Sequence, residues 1–80
     1  MGYKRLQYEV TTETEKKFKN LMSICGARTM NSYLDNALAL MEWAIEEKRR
    51  GKKILSAGQD DQMVRELIMP MLEHAALHKI

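Results

Sequence analysis

The sequence predicts a mainly α-helical chain with a short N-terminal strand, built as an intertwined homodimer and continued by a C-terminal hairpin or helix extension. Three observations carry that expectation. Residues 5–10 alternate apolar and polar side chains with a period of two. Two later stretches, 13–25 and 30–50, repeat apolar residues at spacings of three and four, the signature of helices with one apolar face. Finally, a chain of 80 residues is marginal on its own. Its single cysteine, Cys25, allows no disulfide within the chain, and no Cys/His cluster has zinc-finger spacing. Association is the remaining common route to stability.

The strand comes first. Leu6, Tyr8 and Val10 fall on one face, and Arg5, Gln7 and Glu9 on the other. Tyr, Val and Thr also favour strands. One strand leaves unpaired N–H and C=O groups along both edges. Pairing with the C-terminal segment would need a long return across the molecule. The same strand of a second copy, antiparallel across a two-fold axis, is the simpler partner. The product is a two-stranded antiparallel intersubunit ribbon, apolar face on the helices and polar face in solvent.

Thr12 opens the run Thr-Glu-Thr-Glu, which reads as a capping box. The Thr12 hydroxyl accepts from the Glu15 N–H, and Glu15 reaches back. Glu13 and Glu15 suit the positive end of a helix dipole. Phe18, Leu21, Met22 and Cys25 then form one apolar face, with Cys25 as a small buried apolar residue rather than a nucleophile. Gly26 ends the helix because it tolerates positive φ.

Ala27 and Arg28 link to a second helix that Thr29 caps. Met30, Tyr33, Leu34, Ala37, Leu38, Met41, Ala44 and Ile45 form its main stripe. Lys48, Arg49 and Arg50 sit at the negative helix end, and Gly51 stops it. Leu40 and Trp43 fall off this stripe and need a cover of their own.

Gly51 divides the chain into residues 1–51 and an extension, 52–80. Gly58 to Asp61 is a turn signal. Met63 to Met69 fits a strand or a helix, and Pro70 favours the strand, since the residue before a proline prefers an extended backbone. The expected extension is a hairpin of 53–57 with 63–68, then a helix of 70–77 that Pro70 opens, where its missing N–H is harmless. The alternative is one kinked helix from Asp60 to His78. Met63, Met69 and Met71 either cover Leu40 and Trp43 or dock on a protein partner.

Charge separates the same two parts. Residues 1–53 carry +4 and residues 54–80 carry −2. A basic body suits a phosphate-bearing partner, although it is also common on proteins without one. Residues 1–20 hold no apolar run of the kind a signal peptide has, and no stretch is long enough to span a membrane. A soluble, cytoplasmic protein is expected. No P-loop, nucleophile motif or metalloprotease signature is present, so neither an enzyme nor a cofactor is implied. His74 and His78 stand four apart without an evident third ligand, so no metal site is expected.

The run Leu6-x-Tyr8-x-Val10, the helix with Phe18 and Leu21, Gly26-Ala-Arg-Thr-Met-Asn-Ser32 and then Ala37-Leu38 resemble the ribbon-helix-helix family of Arc/MetJ-like repressors. The likeness covers residues 4–50, with Ala27 as an extra residue before the Arg28–Ser32 stretch. The segment from Gly51 to Leu72 is similar to tails of bacterial and mobile-element members and implies no activity. By this resemblance the chain is a sequence-specific DNA-binding transcriptional repressor, autoregulatory and homodimeric. It reads the major groove of double-stranded DNA with its ribbon. Arg5, Gln7 and Glu9 would contact bases, and Lys4, Arg28, Thr29, Asn31 and Ser32 would contact phosphates. A solvated strand face and ordinary helix capping are the plainer readings of the same residues. Two other functions fit the sequence. One is an antitoxin whose C-terminal segment binds a toxin. The other is a dimeric adaptor that binds only protein.

Overall fold

The computed structural model describes residues 2–60 and 63–80. Its elements run helix, helix, strand, strand, helix: α1 (Thr12–Cys25), α2 (Met30–Arg49), β1 (Leu55–Ala57), β2 (Val64–Glu66) and α3 (Pro70–Ala75). The chain forms two compact units, Met1–Leu34 and Asp35–Ile80, with the boundary inside α2.

The N-terminal strand is absent. Residues 2–11 adopt neither helix nor strand. Among the described residues the only paired strands are β1 and β2, so the expected ribbon-helix-helix order with its two-stranded intersubunit ribbon is corrected to two helices followed by a C-terminal hairpin and a short helix. The physical reason lies in the backbone. Alternation decides which side chains share a face, but a strand also needs a neighbour for its N–H and C=O groups. Leu6 and Tyr8 consequently stand 91% and 84% exposed. β1 and β2 lie close in sequence, so their pairing closes only a short loop.

In the first unit, α1 begins one residue earlier than its sequence pattern implies. The cap is Thr11, whose Oγ1 accepts from the Thr14 N–H at 3.1 Å and donates to Thr14 Oγ1 at 3.0 Å. Thr12 is thus the first helical residue, and Glu15 turns instead to Lys19, one helical turn on, at 3.9 Å. Gly26, at φ 70°, closes the helix: Ala27 N–H donates to Met22 C=O and Gly26 N–H to Ser23 C=O. These two bonds form a Schellman motif. Cys25 is exposed, against the buried place expected for it. Phe18 meets Tyr33 edge to face, ring centroids 5.8 Å apart.

The second unit holds most of α2 together with the tail. Gly51, at φ 78°, ends α2 by the same device, with Lys52 N–H donating to Glu47 C=O and Gly51 N–H to Lys48 C=O. The tail folds as a hairpin and a short helix, not as one kinked helix. Leu55 faces Glu66, Ser56 faces Arg65 and Ala57 faces Val64. Leu67 N–H to Ile54 C=O, at 2.8 Å, extends the pairing. Asp61, the last residue of the turn signal, lies outside the described residues. Pro70 occupies the first turn of α3, where it removes no helical hydrogen bond.

Burial is sparse. Among the described residues the buried apolar side chains are Ala44 and Leu72, the latter 1% exposed. Beside them lies Lys48, 7% exposed, whose Nζ sits 3.1 Å from Glu73 Oε1. Arg49 clamps the chain end twice: its Nε donates to His78 C=O at 2.7 Å, and its own C=O accepts from Ile80 N–H at 3.2 Å.

Candidate functional site

The polar residues singled out in the sequence fall in two places, both in the first unit. Lys4, Arg5, Gln7 and Glu9 lie along the exposed segment before α1. Because no sheet fixes that segment, its alternation does not hold Arg5, Gln7 and Glu9 on one face within the single chain.

The second place is the start of α2. Thr29 caps it as expected: its Oγ1 accepts from the Ser32 N–H at 3.0 Å, and its C=O accepts from the Tyr33 N–H at 3.2 Å. Arg28, Thr29, Asn31 and Ser32 are all exposed. The first turn of α2 carries no acidic residue. A helix N-terminus presents unsatisfied N–H groups and the positive end of the dipole. With Arg28 beside it and no carboxylate in that turn, this end is electropositive and open.

The first unit also has an apolar cleft of about 280 Å³, lined by Tyr8, Val10, Phe18, Met30 and Leu34 together with Glu15 and Lys19. All five apolar residues come from faces legible in the sequence: Tyr8 and Val10 from the alternating run, Phe18 from α1, Met30 and Leu34 from α2.

The second unit has its own cleft of about 320 Å³, lined by apolar side chains that include Leu40, Trp43, Ile54, Leu67, Met69 and Leu72. The tail thus approaches Leu40 and Trp43, yet both remain largely in solvent, Trp43 at 51%. Met63 and Met71 are exposed. The Lys48–Glu73 pair was not foreseen from the sequence. Its signal was there: Ala37, Met41, Ala44 and Lys48 follow one another at helical spacing, so Lys48 extends a face that is otherwise apolar.

The His74 and His78 rings lie 5.4 Å apart, centroid to centroid, with their planes tilted by 58°. Among the described residues no group of three or more His, Cys, Asp or Glu side chains is placed to hold a metal ion. Nor is any described helix long and apolar enough to cross a membrane. Compared with known proteins, the chain matches no family profile, no curated protein and no solved structure.

Proposed function

We propose that this chain binds double-stranded DNA as a homodimer and acts as a sequence-specific, autoregulatory transcriptional repressor, with no catalytic activity of its own. One observation carries the reading. A single compact unit bears an exposed basic segment (Lys4, Arg5) next to Gln7, a capped and electropositive helix start at Arg28–Ser32, and an unfilled apolar cleft. Phosphate binding at the start of α2 follows from the positive end of the helix dipole, supplemented by Arg28, Thr29, Asn31 and Ser32. Lys4 adds a further phosphate contact. Arg5 and Gln7 are chemically suited to base edges, Arg to guanine and Gln to adenine, and Glu9 is suited to a cytosine amine. A second copy closing the cleft brings two such sets together, and a two-fold dimer reads a roughly palindromic site.

The tail supports this reading over toxin neutralisation. It is folded within the chain, with Leu72 buried and Arg49 bonded to the chain end, and does not hang as an unstructured peptide.

The test is fluorescence anisotropy with the duplex upstream of the chain's own gene and a scrambled duplex, at two salt concentrations. Selective binding that weakens with salt is expected, because phosphate contacts release counterions. Gln7→Ala should lose about 1–3 kcal/mol of discrimination at one base pair while the fold persists. Absence of binding to either duplex at low salt would overturn the reading and favour a protein-only adaptor.

A further inference from the structure

We propose that His74 and His78 together hold one divalent transition-metal ion, with the rest of its coordination sphere left to water. The inference is independent of DNA binding and of the homodimer.

Ring geometry is the first argument. An ion about 2.0–2.1 Å from a ring nitrogen lies about 3.2 Å from that ring's centre, so two imidazoles at a tetrahedral angle have centres about 5.2 Å apart. The His74 and His78 centres stand 5.4 Å apart. The centre of an imidazole lies nearly on its Cβ–Cγ axis. Each ring therefore turns in place to aim a nitrogen at the ion, and the spacing survives the turn. Both residues are exposed, so an ion reaches them from solvent without any repacking of buried side chains.

The second argument is the backbone beneath the rings. The helical turn continues past α3: His74 C=O accepts from Leu77 N–H, and Ala75 C=O from His78 N–H, each at 3.0 Å. Residues four apart on such a turn share one face. Leu72, 1% exposed, anchors the near end of this segment. Arg49 fixes the far end, its Nε donating to His78 C=O at 2.7 Å. The backbone of both ligands is thus in place before an ion arrives, and less ordering opposes binding.

The third argument is the ligand type, which selects the ion. Among the described residues no third His, Cys, Asp or Glu side chain joins the pair. The neighbouring carboxylate, Glu73, has its Oε1 3.1 Å from Lys48 Nζ. Two imidazole nitrogens without a carboxylate suit Cu²⁺, Ni²⁺ or Zn²⁺, whereas Mg²⁺ and Ca²⁺ require several oxygens. An ion held by both rings ties residue 74 to residue 78 and clips the last turn of the tail, which favours the folded chain.

The chain has two histidines, so its ring signals report on this pair alone. The experiment titrates the untagged full chain at neutral pH with nickel chloride, and with magnesium chloride as the control. Heat is followed by isothermal titration calorimetry, and the histidine ring protons by NMR. The expected result is one nickel ion per chain and no magnesium, with both rings shifted or broadened at the same nickel concentration. With free nickel at 100 times its Kd, the folded-to-unfolded ratio in urea should rise by up to about 100-fold. His74→Gln and His78→Gln should each weaken binding about 10-fold or more, since the second ring binds within the same molecule, with helix content by circular dichroism unchanged. Cys25→Ser, in the other unit, should leave binding as it was. Absence of heat, or a response from one ring alone, would overturn the proposal. So would binding that survives both glutamine variants, binding lost with the Cys25 thiol, or one ion shared between two chains.

Discussion

Replacing Glu73 by glutamine probes how α3 is held to α2. Lys48 is 7% exposed and has its Nζ 3.1 Å from Glu73 Oε1, while the Glu73 side chain is 45% exposed. Breaking a fully buried ion pair by removing one partner costs about 3–5 kcal/mol, because the other charge is left stranded. A solvent-exposed pair is worth about 0–1 kcal/mol. With one partner buried and the other nearly half in water, Glu73→Gln should cost about 1–3 kcal/mol, between the two limits. That is a large share of the roughly 4–12 kcal/mol that a chain of this length has in hand. Lys48→Met should behave differently. It keeps an unbranched apolar stem on the buried face and removes the charge, and the remaining Glu73 is free to be hydrated. Its cost should stay below about 1 kcal/mol. The double variant should then be little worse than Lys48→Met alone, because glutamine at 73 no longer abandons a buried ammonium. Equilibrium urea unfolding followed by circular dichroism measures all four proteins, at one fixed protein concentration since a dimer's stability depends on it. The reasoning fails if Glu73→Gln is no more damaging than Lys48→Met, or if the two effects simply add.

Other perturbations address other parts of the fold. Leu72→Ala empties the one large, fully buried apolar position among the described residues and should cost about 2–5 kcal/mol in the same urea assay, with faster hydrogen exchange in α3. Gly51→Ala meets no atom within 4 Å, so its effect is confined to the backbone at φ 78°; a loss of about 1–2 kcal/mol is expected, and an unchanged urea midpoint would argue against that conformation. Thr29→Ala removes the hydroxyl that accepts from Ser32 and should cost about 0.5–2 kcal/mol of stability. By the proposed function it should also weaken DNA binding about equally for all sequences, since phosphate contacts carry no sequence information.

The helices and the tail were legible because their signals are local. Gly26 and Gly51 end α1 and α2 where glycine's tolerance of positive φ says they should. Thr29 caps α2. Pro70 opens α3, and the turn residues after Ala57 separate two short strands. The cap of α1 was misplaced by one residue because Thr11, Thr12 and Thr14 all offer hydroxyls, and only the geometry of the first turn chooses Thr11. Cys25 was misread because its place on an apolar stripe says which face it shares, not whether that face is covered, and Cys25 is exposed.

By itself the sequence determined where the two long helices lie and that Gly26 and Gly51 stop them, outcomes that depend on backbone sterics and on partners a few residues away; it left the tail open between a hairpin and one kinked helix. Tertiary structure decided the rest. Whether residues 5–10 form a strand depends on a pairing partner that no local pattern supplies, and among the described residues there is none. Whether Lys48 is solvated or buried depends on Glu73 arriving from α3, twenty-five residues on. Periodicity fixes the face a side chain shares, but what covers that face is settled only when distant segments, or a second copy, come to lie against it.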